Sequence, residues 1–238
     1  MNVVPVVELR RVARHFGRRS VLRDLDFRLE PAEIVGVIGP NGAGKTTFLS
    51  IVVGLSPMDD GERWYFGERR DEVDIETRAR LSYVGHTASL YPGLSVRENL
   101  ELFADLRGGC RDRAGVVLER MGLAQARDRP VSSFSRGMLQ RAALARALQC
   151  EASVLVLDEP FTALDAEGRD CLVAVLGEER GRGASVLVTS HDLDTLARVC
   201  DRVLVLESGR FTTEVRCDEY PREHGVFASA IVRASRRT

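Results

Sequence analysis

The segment spanning residues 39–46 restricts the fold more than any other part of the chain. It reads Gly-Pro-Asn-Gly-Ala-Gly-Lys-Thr and matches in full the G-x-x-x-x-G-K-[ST] pattern of a phosphate-binding loop. An apolar run at 34–38 precedes it, and helical spacing follows at 46–54. Because this pattern holds phosphate between a buried strand and a helix, the segment predicts a strand, a loop and a helix in that order.

Short apolar runs alternate with helical spacing through much of the chain. Continuous runs of this length are typical of strands that are covered on both faces of a parallel sheet, so the alternation predicts an α/β fold. Three earlier stretches, at 6–10, 21–22 and 25–29, are more alternating in pattern and predict antiparallel strands. The further apolar runs lie at 154–157, 186–188 and 203–206, with helical spacing at 166–179 and 193–200.

Helical spacing replaces the strand pattern between about residues 95 and 149. We therefore expect a P-loop NTPase core with an N-terminal antiparallel β subdomain and an inserted helical lobe. Within one domain spanning 1–238, the core is expected at 1–86 plus 151–238 and the lobe at 87–150. Residues 211–238 carry no motif and are expected to form a solvated tail or a subunit contact.

The composition excludes several classes of protein. The chain has 238 residues, and its 34 basic and 35 acidic side chains leave a net charge of −1, which argues against binding a polyanion through bulk charge. It has neither the roughly 20 consecutive apolar residues that span a bilayer nor a signal sequence, so we expect a cytoplasmic chain. Its five cysteines include no Cys-x-x-Cys pair, which favours reduced thiols over disulfides or a zinc site.

Lys45 is the only lysine among the 34 basic residues. A compact ammonium can reach the β and γ phosphates of a nucleotide from inside a narrow turn, where a planar guanidinium fits poorly. The hydroxyl of Thr46 can ligate Mg²⁺. We therefore expect nucleotide contacts from the loop and the residue after it, which are Gly39, Pro40, Asn41, Gly42, Ala43, Gly44, Lys45, Thr46 and Thr47.

Two consecutive acids, Asp158 and Glu159, follow the apolar run at 154–157. Two carboxylates at the end of a buried strand are costly to place there and have no evident structural use, whereas beside a phosphate-binding loop each can take part in chemistry. We expect Asp158 to hold the metal through water and Glu159 to face the attacking water.

Further motifs follow in the order of a known family. Residues 134–138 read Phe-Ser-Arg-Gly-Met where that family carries Leu-Ser-Gly-Gly-Gln, residues 163–165 resemble its D-loop, and His191 matches its switch histidine. Over nearly its whole length the chain resembles the ATP-binding subunit of an ABC transporter. The resemblance implies ATP and Mg²⁺ as cofactors, and ATP hydrolysis that is coupled to transport.

The resemblance also implies a head-to-tail dimer, formed by two identical chains or with a related cassette. Each ATP would lie between the Lys45 loop of one copy and residues 135–137 of the other. Ser135, Gly137 and Asp165 then become nucleotide contacts. ATP would hold the two copies together, and hydrolysis would let them separate.

The same resemblance assigns further roles at the nucleotide. Glu159 would act as general base, and His191 would hydrogen-bond the γ-phosphate. Phe16 lies where the family stacks an aromatic ring on adenine, and a buried core phenylalanine is the alternative interpretation. His86 replaces a metal-contacting glutamine and could bridge to the metal through water, although a neutral imidazole offers one acceptor. Arg136 replaces a glycine, and either supplies charge across the dimer or faces solvent.

The segment 85–100 narrows the resemblance. Its Gly-His pair and the residues at 90–91, 94–96 and 98–100 are similar to the ATPase subunit of the haem exporter of cytochrome c maturation, and exporters of drugs, lipids or polysaccharides share parts of it. We therefore expect a subunit that energises a separate integral membrane transporter from the inner face of the cell membrane. The helical lobe and the loop at 86–98 would dock on that transporter.

Two other classes of protein compete with this interpretation. ABC ATPases that act on nucleic acid or ribosomes usually carry two cassettes, a coiled-coil insertion or zinc modules, for which 238 residues leave no space. A GTPase switch requires an Asn-Lys-x-Asp guanine reader, which a chain whose only lysine is Lys45 cannot contain. We therefore expect no nucleic-acid partner.

Overall fold

A computed structural model describes residues 3–107 and 111–219, together with residues 227, 229 and 231. Up to residue 219, this described part contains two β-sheets and seven α-helices, and the predicted α/β architecture is confirmed. The strands are β1 (Val7–Phe16), β2 (Arg19–Leu29), β3 (Ile34–Ile38), β4 (Asp60–Tyr65), β5 (Glu68–Arg69), β6 (Leu81–Val84), β7 (Val154–Leu157), β8 (Ser185–Thr189), β9 (Arg202–Glu207) and β10 (Arg210–Arg216). The helices are α1 (Lys45–Val52), α2 (Ile75–Ala79), α3 (Val96–Leu106), α4 (Arg113–Arg120), α5 (Arg136–Leu148), α6 (Ala166–Gly181) and α7 (Leu193–Val199).

The larger sheet has six strands in the order β10-β9-β3-β8-β7-β6. Neighbouring strands are parallel except β10, which runs antiparallel to β9. Every residue of β3 is buried, because this strand lies inside the sheet and both of its faces are covered. The loops that follow β3, β8, β7 and β6 all leave the sheet at the same edge, since the four strands are parallel.

The smaller sheet is antiparallel, in the order β2-β1-β4-β5. Its first two strands confirm the antiparallel strands that the sequence predicts near the N-terminus. Gly17 lies in the two-residue turn between them with a φ of 59°, a conformation that favours glycine. The residue before it, Phe16, is therefore at the tip of a hairpin.

The sequence pattern does not predict strands β4 and β6, and buried polar side chains explain why. Arg63 in β4 is 4% exposed, and its guanidinium donates to the carbonyl oxygens of Ile51 and Asp71. Ser82 in β6 is 3% exposed, and its hydroxyl donates to the carbonyl oxygen of Ala147. Each polar residue interrupts an apolar pattern, yet each donates hydrogen bonds to backbone oxygens, so the strand forms without the expected signal.

The larger sheet separates two apolar layers. Alternate residues of a strand point to opposite faces, and in β3 Ile34 and Ile38 join one layer while Val35 and Val37 join the other. Helices α3 to α7 cover the first layer. Helix α1 and the smaller sheet cover the second. Packing on both faces fixes the positions of the strand ends, and with them the loops that follow.

The expected tail is wrong for its first part, because residues 211–216 belong to β10 and pair with β9. Residues 220–226, 228, 230 and 232–238 lie outside the described residues, as does Cys110. The described cysteines form no disulfide with one another, and burial raises the pKa of Cys200 well above its ordinary value. Among the helices of the described part, none combines the length and apolarity that crossing a bilayer requires.

Candidate nucleotide-binding site

The loop between β3 and α1 has a backbone shape that requires glycine at two positions. Gly39 has a φ of 156°, and a Cβ atom there would lie 2.2 Å from the carbonyl oxygen of Leu206. Gly44 has a φ of 109°, and its Cβ would lie 2.9 Å from Leu22 Cδ2. The loop is therefore held between β9 and β2, and larger residues at these positions would push it out of place.

Lys45 is the first residue of α1 and is 9% exposed. Its Nζ donates to the carbonyl oxygens of Gly39, at 2.7 Å, and Pro40, at 3.4 Å. The ammonium thus lies across the loop that precedes it. The first turn of α1 contains no acidic residue, so the positive end of the helix and the ammonium both favour an anion.

A cavity of about 420 Å³ opens beside this loop. That volume lies within the usual range for a small-molecule site. Gly39 and Ala43 belong to the loop but not to the cavity lining. Twelve of the predicted residues line it, namely Phe16, Pro40, Asn41, Gly42, Gly44, Lys45, Thr46, Thr47, His86, Asp158, Glu159 and His191.

Asp158 is 2% exposed and both of its carboxylate oxygens are hydrogen-bonded. Oδ2 accepts from Thr46 Oγ1 at 2.8 Å, and Oδ1 accepts from Thr189 Oγ1 at 2.7 Å. In the part of the chain that is described, no group of three or more His, Cys, Asp or Glu side chains is placed to hold a metal ion by itself. The hydroxyl of Thr46, together with Asp158 acting through water, fits Mg²⁺, which usually takes its remaining ligands from phosphate and water.

His86 follows β6 and reaches the same carboxylate. Its Nε2 lies 3.4 Å from Asp158 Oδ2, and its side chain is 62% exposed. Burial, followed by the charge of Asp158, raises the pKa of the nearby Tyr83 hydroxyl. The structure therefore brings His86 to the predicted metal position, where its ring is open to the cavity.

The side chains of Glu159 and His191 both line the cavity and contact each other. His191 Nε2 lies 3.1 Å from Glu159 Oε1, and the side chain of Glu159 is 11% exposed against 60% for His191. The backbone of Glu159 has a φ of 53°, and its N–H donates to Thr189 Oγ1 at 2.8 Å. A carboxylate oxygen and an imidazole nitrogen thus meet beside the phosphate-binding loop, which suits the transfer of a proton from water.

Phe16 lies at the mouth of the cavity and is 52% exposed. The alternative interpretation of this residue as a buried core phenylalanine is therefore wrong. The guanidinium of Arg14 lies over its ring, 4.7 Å from the ring centroid. Arg19 and Val21, on the second strand of the same hairpin, also line the cavity, and they belong to none of the sequence motifs.

The predicted nucleotide contacts Ser135, Gly137 and Asp165 lie outside this cavity. Ser135 caps α5 and accepts the backbone N–H of Met138 at 3.3 Å, while Asp165 caps α6. A Cβ atom on Gly137 would lie 2.9 Å from the carbonyl oxygen of Ala163, so the two segments are adjacent. The structure places Gly137 beside the segment that leads to Asp165, and none of the three predicted residues lines the cavity next to Lys45.

Comparisons with known proteins agree with this geometry. A family model described as ABC transporter matches residues 22–162. A Nod factor export ATP-binding protein I of Burkholderia orbicola is 37% identical over 218 residues, which are 90% of this chain and 71% of that protein.

Solved structures are similar over most of their length. The ATP binding subunit of an ABC transporter has a TM-score of 0.87 and 27% identity, covering 97% of this chain and 99% of that chain. A dimeric ATP-binding cassette in a post-hydrolysis state bound to ADP and Pi has a TM-score of 0.82 and 25% identity, covering 89% of this chain and 98% of that chain. With more than half of its residues matched by the family model, the chain belongs to the ABC transporter family, as one of its ATP-binding, ATP-hydrolysing cassettes.

Proposed function

We propose that the chain is the ATPase subunit of an exporter and energises a separate integral membrane transporter at the inner face of the cell membrane. One observation carries the proposal, namely that Lys45, Asp158, Glu159 and His191 line a single cavity beside the phosphate-binding loop. A relative of similar sequence is named for Nod factor export, which supports the exporter class.

In this proposal each residue of the cavity has one task in hydrolysis. Lys45 and the backbone of its loop bind the phosphates. Glu159 accepts a proton from the attacking water, and His191, 3.1 Å away, fixes the position of that water against the γ-phosphate. Thr46 and Asp158 would hold Mg²⁺, with His86 as a third candidate, and the ion would neutralise charge on the phosphates.

We further propose that two copies pair head to tail with ATP between them. Ser135, Gly137 and Asp165 would then complete the site of the other copy, which explains why they lie outside the cavity of their own chain. The first turn of α5, which begins after Ser135, contains no acidic residue, so its positive end favours an anion. A related solved cassette is dimeric, which supports the pairing.

The membrane transporter is proposed to dock on residues 87–150, acting as a helical lobe, with 1–86 plus 151–238 as the nucleotide-binding core. Two large side chains of this region support an interface, since Tyr91 is 52% exposed and Leu106 is 68% exposed. The cargo proposed from the sequence, haem, stays one candidate beside drugs, lipids and polysaccharides. The Burkholderia orbicola relative is named for another cargo.

Glu159→Gln tests the proposed reaction and the proposed dimer together. The variant keeps the size of the side chain and removes the base, so we expect hydrolysis to fall by about 10²- to 10⁴-fold while ATP binding is retained. Size-exclusion chromatography with light scattering should then show a dimer in ATP and a monomer without nucleotide. Glu119→Gln, at an exposed position of α4, is the matched control and should behave as the wild type.

Two results would contradict the proposal. Hydrolysis at the wild-type rate would remove Glu159 as the base, and a variant that binds ATP but stays monomeric would remove the shared site. Purification from solubilised membranes tests the remaining part. Recovery with a multi-span membrane protein is expected, whereas recovery with ribosomes or DNA would contradict the transport function.

A further inference from the structure

Thr189 is the last residue of β8 and is 0% exposed. Its hydroxyl donates to Asp158 Oδ1 at 2.7 Å and accepts the backbone N–H of Glu159 at 2.8 Å. One buried hydroxyl therefore binds both of the consecutive acids in the cavity. Thr189 itself lies behind the residues that line the cavity.

The position of this hydroxyl is set by the sheet. Strands β7 and β8 are parallel, and their register matches Leu157 with Val188, so that Asp158 and Thr189 are the next residues along each strand. A β-branched side chain has few χ1 rotamers, which further limits where the hydroxyl can point. Thr189 is thus more rigidly placed than a residue on a loop.

The contact with Asp158 fixes the plane of its carboxylate. Thr189 holds Oδ1, and Thr46 holds Oδ2 at 2.8 Å. Because Thr46 lies in the cavity and Thr189 lies behind it, the carboxylate presents Oδ2 to the proposed metal position. Without the hydroxyl of Thr189, the carboxylate would keep one of these two anchors and could rotate.

The contact with Glu159 fixes a backbone conformation that is uncommon for a residue other than glycine. The φ of Glu159 is 53°, in the left-handed region. The hydrogen bond from its N–H to Thr189 satisfies a donor at this bend, and the bend brings the Glu159 carboxylate to within 3.1 Å of His191 Nε2. Removal of the acceptor would leave the N–H without its partner.

We propose that Thr189 is a positioning residue for ATP hydrolysis, whose single hydroxyl orients the Asp158 carboxylate and the Glu159 backbone together. This inference rests on the proposed function, in which Asp158 serves the metal and Glu159 the attacking water. Loss of the hydroxyl frees both acids, and it therefore lowers kcat and raises the Mg²⁺ concentration needed for half-maximal rate. Thr189 itself does not line the cavity. The KM for ATP stays nearly unchanged.

Three variants of the purified chain, assayed with its membrane partner if the chain alone is inactive, test this role. Thr189→Val keeps the β-branched shape and removes the hydroxyl, whereas Thr189→Ser keeps the hydroxyl. Thr77→Val is the matched control, because Thr77 is also buried, at 6% exposure, and is also hydrogen-bonded to an aspartate, Asp74, in α2 and away from the cavity. ATP hydrolysis is measured against both ATP and Mg²⁺ concentration, with thermal melting as the check on folding.

We expect Thr189→Val to lower kcat by about 10- to 100-fold, the range seen when a partner of a metal ligand is removed. Its KM for ATP should change by less than about threefold, and Thr189→Ser should restore kcat to within about fivefold of the wild type. Thr77→Val should lower the melting temperature as Thr189→Val does, and leave kcat and the Mg²⁺ dependence unchanged.

A kcat for Thr189→Val within about twofold of the wild type overturns the inference, and so does an equal loss in Thr77→Val or the absence of recovery in Thr189→Ser. If Thr189→Val does not fold, Thr189→Ala is judged by the same limits. Failure of the proposed function would look different, because the wild type and Glu159→Gln would then hydrolyse ATP at the same rate whatever stands at position 189.

Discussion

Replacing Lys45 by arginine tests the phosphate-binding loop directly, because arginine occupies every other basic position in the chain. The ammonium of Lys45 is 9% exposed and lies 2.7 Å from the carbonyl oxygen of Gly39. A guanidinium is wider and planar, and it has no room to fold back over a loop whose glycines already pack against β9 and β2. The substitution keeps the positive charge and introduces a group that does not fit the loop.

The expected loss can be estimated from the bonds that the ammonium would make. A hydrogen bond from a charged donor contributes about 1.5–3 kcal/mol, so the loss of one phosphate contact raises the Kd for ATP by roughly 10- to 150-fold. Lys45→Ala removes the charge as well and should weaken binding at least as much. AMP lacks the β and γ phosphates, and its Kd should change by less than about twofold in either variant.

Isothermal titration calorimetry with ATP, ADP and AMP measures these differences. Arg19→Lys is the matched control, since Arg19 lines the same cavity at an exposed position and should tolerate the change within about threefold. The reasoning is refuted if Lys45→Arg binds ATP as tightly as the wild type. It is also refuted if AMP binding weakens as much as ATP binding, because the lysine would then act on the loop and not on the phosphates.

Two further predictions concern stability. Phe48 is 0% exposed and packs edge-on to Phe27 and Phe211. Phe48→Ala should lower the free energy of unfolding by about 3–5 kcal/mol, which corresponds to a fall in melting temperature on the order of 10 °C. An unchanged melting temperature would contradict this packing. The hydrogen bond from Arg10 holds the pKa of Glu8 below its ordinary value of 4.5, so the stability that the Glu8 carboxylate adds is fully present above pH 4.5 and is lost as the pH falls through the lowered pKa. Glu8→Gln should lower the melting temperature at about pH 7, and the difference from the wild type should shrink as the pH falls below 4.5; a difference that stays constant with pH would contradict the assignment.

The sequence predicts the central strands well because their chemistry is local. Strands β3, β7 and β8 are covered on both faces, so each appears as a short run of mostly apolar residues. Strand β10 gives no such signal, because it is the last strand of the sheet and most of its residues are partly or fully exposed. The sequence fails to predict β4 for a different reason. Its Arg63 is buried and binds carbonyl oxygens, whereas an arginine in a sequence normally indicates an exposed position.

The site shows the same difference between residues that a local sequence signal identifies and residues that only the fold identifies. The motifs identify Lys45, Asp158, Glu159 and His191, because each lies at a fixed distance along the chain from a recognisable strand. Thr189 has no motif of its own, and its role depends on the pairing of β7 with β8, whose sequences are about 30 residues apart. Contacts of this kind follow from the register of a sheet and not from spacing along the chain.

The topology of the larger sheet explains why these residues meet at all. Strands β3, β8, β7 and β6 are adjacent and parallel, so the segments after them emerge side by side, and these segments carry Lys45, His191, Asp158 and His86. The carboxylate of Asp158 is the common point, with contacts from α1, from His86 two residues after β6 and from the end of β8. Side chains alternate along a strand, and a shift of one residue between β7 and β8 would therefore turn Thr189 away from Asp158. The buried faces of both strands prevent that shift, and in this way the apolar core fixes the chemistry at the edge of the sheet.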